Sequence, residues 1–323
     1  MNNQSIFERV TNDIVEHLVR GITGKWKCPW DKMTSVAINA KTGKRLVGIS
    51  QILCSMSMIN NDFQANKWLT FKQAKNLGGE IIKGSKSTLV FWLRPFVKVE
   101  VDGKEKLISP EGCELHNAIE EGNVIWSYQY APYFNVEQID GLDDEFYEPI
   151  QQAIQHGLGD GFTPIAEAEA FIDLLQTSND PLKLTHRGNQ AYYAPATDDV
   201  VMPDKAKFHD ELSYYGTLFH EVGHWTGCQA RLNRKGIVDK TIRFGDSTYA
   251  YEELVAELTA SFKAAEMGLE REIREDHVQY IASWIQALRN DHKLIFKASQ
   301  EAMKAVRLMN QLADHQIKLF ASV

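Results

Sequence analysis

Apolar residues recur at every fourth position near the start of the chain, at Ile6, Val10, Ile14 and Leu18. This spacing predicts an amphipathic helix over residues 6–22, and a methionine-rich apolar run predicts a buried helix over residues 49–59. Thr70 is the expected N-cap of a third, short helix. Strands are predicted around residue 81 and over residues 89–99, joined as a hairpin.

The pattern changes after residue 100. Residues 101–121 are acidic and predict an irregular segment, and aromatic alternation predicts a strand over residues 124–136. Acidic and glycine residues then predict a linker over residues 141–163. Beyond it we expect a helix over residues 166–176, two short strands between residues 191 and 202, and otherwise helices.

These elements predict an α+β fold with two domains, because 323 residues exceed one typical domain. We expect a basic α+β domain over residues 1–140, the linker, and a second domain with a small sheet and helices over residues 164–323. No apolar run approaches the roughly 18 residues that cross a membrane. The four cysteines show no C-x-x-C spacing and indicate reduced thiols. We therefore expect a cytoplasmic protein with no membrane partner.

The distribution of charged residues distinguishes the two parts of the chain more clearly than their overall composition does. Residues 1–100 hold 15 Lys and Arg residues against 7 Asp and Glu residues, whereas the remainder holds 20 against 36. Clustered cations bind phosphates by releasing counterions, so this asymmetry favours a front half that binds a polyanion. An alternative stays open, in which the opposite charges hold two domains together.

His220, Glu221 and His224 form an H-E-x-x-H motif, the strongest chemical signal in the sequence. Histidines four residues apart project from one face of a helix, where both imidazoles can reach one metal ion. Apolar residues around the motif support a helix, namely Leu212, Tyr215, Leu218, Phe219 and Val222. We therefore expect a Zn²⁺ site, with another divalent metal as the alternative.

A catalytic zinc site needs a third protein ligand, which a second helix packed across the first can supply. Glu253 is the expected ligand, and Glu257 is expected to accept the free N–H of a ligand histidine. Glu252 and Glu257 stay open as alternative ligands. Glu221 is the expected general base, which takes a proton from water as the water attacks a carbonyl. This arrangement is typical of zincin metallopeptidases.

Cations and aromatic residues are interleaved along the front half. Cations that follow a phosphate backbone, together with aromatic faces for unpaired bases, are what sequence-tolerant binding of single strands requires. The expected DNA-contact residues are Lys25, Trp26, Lys27, Trp30, Lys41, Lys44, Arg45, Trp68, Lys72, Lys83 and Lys86. No helix-turn-helix, zinc-finger or RNP pattern is present in the sequence, so specific reading of a duplex is not expected.

Several motifs resemble those of the ArdC family of plasmid-borne antirestriction proteins. They include Asn39-Ala40-Lys41-Thr42-Gly43-Lys44, Trp68-Leu69-Thr70-Phe71-Lys72-Gln73-Ala74, Gly78-Gly79, Met202-Pro203, and the segments from His220 to Gly227 and from Glu252 to Glu257. The resemblance implies an N-terminal single-stranded-DNA-binding domain and a C-terminal metallopeptidase-like domain. It also implies a protein that coats incoming single-stranded DNA during conjugation and shields it from host restriction, a protection that need not depend on the metal site.

Two other hypotheses use the same residues differently. In one, DNA recruits a zinc metallopeptidase that cleaves DNA-bound proteins, with a host restriction enzyme as one such protein partner. In the other, the metal is structural and holds two helices together. At this point the sequence leaves enzymatic activity open.

Overall fold

A five-stranded mixed sheet lies at the centre of the N-terminal half. The computed structural model describes residues 5–22, 33, 35–101, 104–149, 164–243, 246–269 and 278–321. The elements of this half are α1 (Ile6–Ile22), β1 (Ile38–Asn39), α2 (Ile49–Asn61), β2 (Lys67–Thr70), α3 (Phe71–Asn76), β3 (Glu80–Ile81), β4 (Thr88–Val101), β5 (Lys104–Ile108), α4 (Gly112–Glu120), β6 (Ile125–Asn135) and β7 (Ile139–Asp140). The strand order is β1-β2-β6-β4-β5.

The antiparallel pair of β4 and β6 forms the longest part of this sheet, with Phe91 opposite Tyr130. α2 docks beside β4 through Ser50, whose Oγ donates to the Phe91 carbonyl at 2.9 Å and accepts from the Phe91 N–H at 2.8 Å. Further along, β5 pairs with β4 and extends the sheet. The prediction of an irregular segment at residues 101–121 is therefore wrong, because β5 and α4 lie there.

β3 and β7 form a separate two-stranded ribbon, with Ile81 opposite Ile139. The predicted hairpin between β3 and β4 is therefore wrong. Gly79 helps to explain the pairing, since a Cβ at that position would lie 2.6 Å from the Ile139 side chain. Leu142 packs in the same small core, so the first residues of the predicted linker at 141–163 pack with the N-terminal half.

The C-terminal half consists of helices and a small three-stranded sheet. Its elements are α5 (Ala166–Gln176), β8 (Lys183–His186), β9 (Tyr192–Ala194), β10 (Asp199–Met202), α6 (Glu211–Trp225), α7 (Lys235–Val238), α8 (Ser247–Glu266), α9 (Val278–Asn290) and α10 (Leu294–Ala321). The buried strand β10 lies between parallel β8 and antiparallel β9. β8 was not expected, because two of its four residues are exposed, the other two are only partly buried, and the segment shows no alternation of buried and exposed positions.

One hydrophobic core joins the two halves. The ring of Phe296 on α10 contacts the rings of Phe7, Phe91 and Tyr128, with centroids 5.0, 5.1 and 5.4 Å apart. α8 contributes further apolar side chains to this core from the C-terminal half. The α+β class is confirmed, whereas the boundaries of the two domains stay a prediction. None of the helices in the described parts of the chain has the length and apolar run needed to traverse a bilayer.

Candidate metal centre and cationic surface

The H-E-x-x-H motif lies on α6, and the two histidines face each other inside the protein. Asp210 caps this helix, since its Oδ1 accepts the Ser213 N–H at 2.7 Å. His220 and His224 are 3% and 8% exposed, and their Nε2 atoms are 3.1 Å apart. Glu221 is also buried on this helix. The helical period therefore brings two buried imidazole nitrogens to one point.

Glu253 reaches both histidines from α8. Its Oε2 lies 3.5 Å from Nε2 of His220, and its Oε1 lies 3.6 Å from Nε2 of His224. The helices approach closely because residue 223 is glycine, where a Cβ would lie 3.2 Å from Cα of Ala256. The ligand atoms of the three residues lie within 4.8 Å of one another. This spacing fits bonds of about 2.0 to 2.2 Å to a single ion, so the three residues form a divalent-metal site.

Each histidine meets a second buried carboxylate at its other ring nitrogen. Nδ1 of His220 is 3.2 Å from Oε2 of Glu257, and Nδ1 of His224 is 3.2 Å from Oε1 of Glu252. Glu252 was expected only as an alternative ligand, but it lies on the side of His224 that faces away from the other ligands. A carboxylate in this position fixes the ring orientation and makes the imidazole a stronger donor.

Arg234 holds Glu252 in place. Its Nε donates to Oε2 of Glu252 at 3.0 Å, and its Nη2 donates to Oε1 at 2.7 Å. The guanidinium also donates to the Gly223 carbonyl at 2.7 Å and to Oγ1 of Thr226 at 2.9 Å. No sequence signal connects Arg234 with the motif, because the two meet only through the turn between α6 and α7.

The electrostatics of the cluster favour a cation between the imidazoles. Burial lowers the pKa of His220, but hydrogen bonds with Glu253 and Glu257 outweigh burial and raise this pKa to about 10. Burial raises the pKa of Glu253, but the charge of His224 and hydrogen bonds from His220 and Tyr249 lower it to about 2. A divalent ion that binds here must displace the proton of His220, so protons and metal compete.

The predicted DNA-contact residues fall into three groups. Outside the described residues lie Lys25, Trp26, Lys27 and Trp30. Exposed on the surface are Lys41, Lys44, Arg45, Lys72, Lys83 and Lys86. The third group is Trp68 alone, which is 0% exposed and packs beneath α2, with its Nε1 donating to Asn66 at 2.7 Å. No base can stack on this ring, so the prediction of Trp68 as a DNA contact is wrong.

Residues 39–45, here called the basic loop, form a tight turn organised by Asn39. Oδ1 of Asn39 accepts the N–H groups of Lys41 at 3.1 Å and of Thr42 at 3.0 Å. Gly43 has a φ of 67°, a left-handed conformation that glycine adopts without strain. The buried Asn39 thus holds the exposed tip in one shape.

The basic loop is tied to α3 and to α8. Nδ2 of Asn39 donates to Oε1 of Gln73 at 3.1 Å, and Gln73 forms a capping box with Thr70 at the start of α3. At the other end of the loop, Arg45 forms an ion pair with Glu266, the last residue of α8. The lysines of the basic loop and those of α3 therefore belong to one hydrogen-bonded unit.

Both halves of the chain match known families. The N-terminal domain of the anti-restriction factor ArdC matches residues 4–125, and a zincin-like metallopeptidase family matches residues 166–301. The y4eC protein of Sinorhizobium fredii is 31% identical over 316 residues, which cover 96% of this chain and 94% of that protein. The DNA primase TraC of Escherichia coli is 31% identical over 319 residues, which cover 96% of this chain but only 27% of TraC.

Solved structures resemble the whole chain. The metal-free crystal structure of the antirestriction protein ArdC from plasmid R388 is 28% identical, with a TM-score of 0.75, and its Mn(II)-bound structure is 29% identical, with a TM-score of 0.71. Each comparison covers 96% of this chain and 98% of the solved one. The chain therefore belongs to the ArdC family of antirestriction proteins, with an N-terminal ArdC domain followed by a zincin-like metallopeptidase domain that carries a His-His-Glu metal site.

Proposed function

We propose that the protein binds single-stranded DNA without sequence specificity and thereby protects incoming plasmid DNA from restriction during conjugation. The observation that supports this proposal is a pair of adjacent cationic segments that contain no acidic residue of their own. The basic loop and residues 70–77 together contain no Asp or Glu, and their cations are Lys41, Lys44, Arg45, Lys72 and Lys75. Within the described chain, none of these four lysines forms an ion pair with a carboxylate.

Lysine ammonium groups bind phosphates as point charges, so this surface favours binding that does not depend on base sequence. Because Asn39 fixes the backbone of the basic loop, Lys41 and Lys44 bind without a cost for ordering that backbone. Membership of the ArdC family supports a protective role for this binding.

Binding to a single-stranded oligonucleotide should weaken steeply with salt, by a slope of about −0.7 in log K against log salt for each phosphate contact. The double variant Lys41→Ala/Lys44→Ala is expected to bind more weakly and to reduce this slope by about 1.4. Lys240→Ala, which removes an exposed lysine in the C-terminal half, serves as the matched control and should change neither. Absence of binding at low ionic strength, or a slope near zero for the wild type, would refute the proposal.

We also propose that the metal is Zn²⁺. Two imidazoles and one carboxylate are donors that bind Zn²⁺ more tightly than Mn²⁺. The Mn(II)-bound structure of the R388 relative makes Mn²⁺ the alternative. When bound, either ion supplies Lewis-acid chemistry, which polarises a carbonyl and acidifies water.

A second candidate function is hydrolysis of DNA-bound proteins, and Glu221 is the residue that favours it. This buried carboxylate follows His220 on α6, and its charge contributes to the raised pKa of His220. A carboxylate beside the metal ligands can take a proton from an attacking water and return it to a leaving amine. The strand β9, which packs near α6, offers an edge on which an extended peptide chain could pair.

Glu221→Gln tests the peptidase directly, because the amide keeps the shape of the side chain but cannot accept a proton. If the protein is a peptidase, the zinc-loaded wild type should cleave a generic protein or a restriction enzyme about 10² to 10⁴ times faster than the variant. The assay is run with and without single-stranded DNA, and both proteins should bind DNA equally. Cleavage at equal rates by both proteins would exclude this function.

A further inference from the structure

Phe71 is the most exposed large hydrophobic residue in the described chain, with 60% of its surface accessible. It is the first residue of α3, where the capping box of Thr70 and Gln73 fixes the backbone. Its neighbours Leu69 and Ala74 pack in a hydrophobic core, but Phe71 does not. Single exposed apolar residues are common on protein surfaces, so the case for a function depends on what surrounds this ring.

The surroundings of Phe71 are cationic and rigid. Gln73 accepts a hydrogen bond from Asn39, which shapes the basic loop and its exposed Lys41 and Lys44. Lys72 follows Phe71 directly in α3 and is also exposed. An aromatic ring and three ammonium groups therefore lie on two hydrogen-bonded segments, residues 39–45 and 70–77, that contain no acidic residue.

We propose that Phe71 is a base-stacking residue, on which an unpaired base packs while Lys41, Lys44 and Lys72 neutralise neighbouring phosphates. This inference rests on the proposed DNA binding and assigns an aromatic contact to it. A single-stranded nucleic acid matches both features, because it offers a polyanionic backbone and open aromatic base faces. Base faces are stacked on one another in a duplex, so Phe71 also favours single strands over double strands.

Affinity for a short oligothymidylate tests the role of the ring. Phe71→Ala should weaken binding about 5- to 150-fold, the effect of losing one stacked base, whereas Phe71→Trp should keep wild-type affinity. The salt slope of Phe71→Ala should equal that of the wild type, because no charge is removed. Trp126→Ala is the matched control, since Trp126 is 52% exposed on β6, and it should bind as the wild type does.

An abasic strand of equal length separates stacking from a general disturbance of the surface. The wild type and Phe71→Ala should bind this strand equally, and both should unfold at the same temperature because the ring is exposed. The inference would be overturned if Phe71→Ala bound oligothymidylate as tightly as the wild type does. It would also be overturned if Phe71→Ala lost as much affinity for the abasic strand as for oligothymidylate. In both cases the proposal of DNA binding would stand. Failure of the wild type to bind any single strand would instead refute the proposed function itself.

Discussion

Replacement of Arg234 by leucine should lower the free energy of unfolding by about 3 to 5 kcal/mol, the usual cost of removing one partner from a buried ion pair. Arg234 is 6% exposed and Glu252 is 3% exposed, so the variant leaves a carboxylate buried without its balancing charge. Burial raises the pKa of Glu252, but the charge of Arg234 and the hydrogen bonds with His224 and Arg234 together outweigh burial and lower this pKa. The carbonyl of Gly223 also loses its guanidinium donor.

The same substitution should weaken metal binding about 10- to 100-fold, the range found when a residue that orients a metal ligand is lost. Without Arg234, Glu252 no longer holds the ring of His224 at a fixed angle. Urea unfolding measures the stability, and competition with a chelator measures the affinities for Zn²⁺ and Mn²⁺, of which Zn²⁺ should be the higher in the wild type.

Two further variants make this result specific. Arg289→Leu removes an exposed arginine from α9 and should change neither stability nor metal affinity. The double variant Arg234→Leu/Glu252→Gln should recover part of the stability, because no unpaired charge stays buried. If Arg234→Leu changes stability and metal affinity as little as Arg289→Leu does, the ion pair between Arg234 and Glu252 does not organise this side of the metal site.

The sequence could predict the positions of the metal ligands because they follow from local periodicity. His220 and His224 are four residues apart on a helix, and a second helix that crosses the first supplies Glu253, although the sequence left Glu252 and Glu257 open as alternatives. Arg234 could not be predicted in this way, because its contacts depend on a turn in which Asn233 adopts a left-handed conformation, with a φ of 48°. Such a turn produces no periodic pattern in the sequence. Glu252, the partner of Arg234, lies on a separate helix.

The aromatic residues of the N-terminal half show a second reason why the sequence alone does not predict every site residue. The interleaved cations and aromatic residues predicted Trp68 as a DNA contact and did not single out Phe71. The distinction depends on strand register: Trp68 lies opposite Asn135 on the face that α2 covers, whereas Phe71 follows the end of β2. Pairing over a long sequence distance sets this register, and one sequence alone does not reveal it.

Separation of the two halves should prevent the N-terminal half from folding. In the whole chain, α1 packs on α9, and the apolar face of α2 packs with β4 against α10. A fragment of residues 1–149 would expose the side chains that these contacts bury, among them Ile14, Leu18 and Phe91. Each such side chain contributes about 1.5 to 3 kcal/mol when buried, so exposing several would exceed the 5 to 15 kcal/mol that typically separates folded from unfolded states.

Circular dichroism and urea unfolding of this fragment should therefore show no cooperative transition, whereas the full chain should show one. Phe296→Ala tests the same core without truncation, because this ring contacts Phe7, Phe91 and Tyr128 across the two halves. Its expected cost is about 3 to 5 kcal/mol, and hydrogen exchange should become faster in β4 and β6 as well as in α10. A fragment that unfolds cooperatively would show that the two halves are independent domains. The basic and the acidic parts of the chain would then be two units that fold separately.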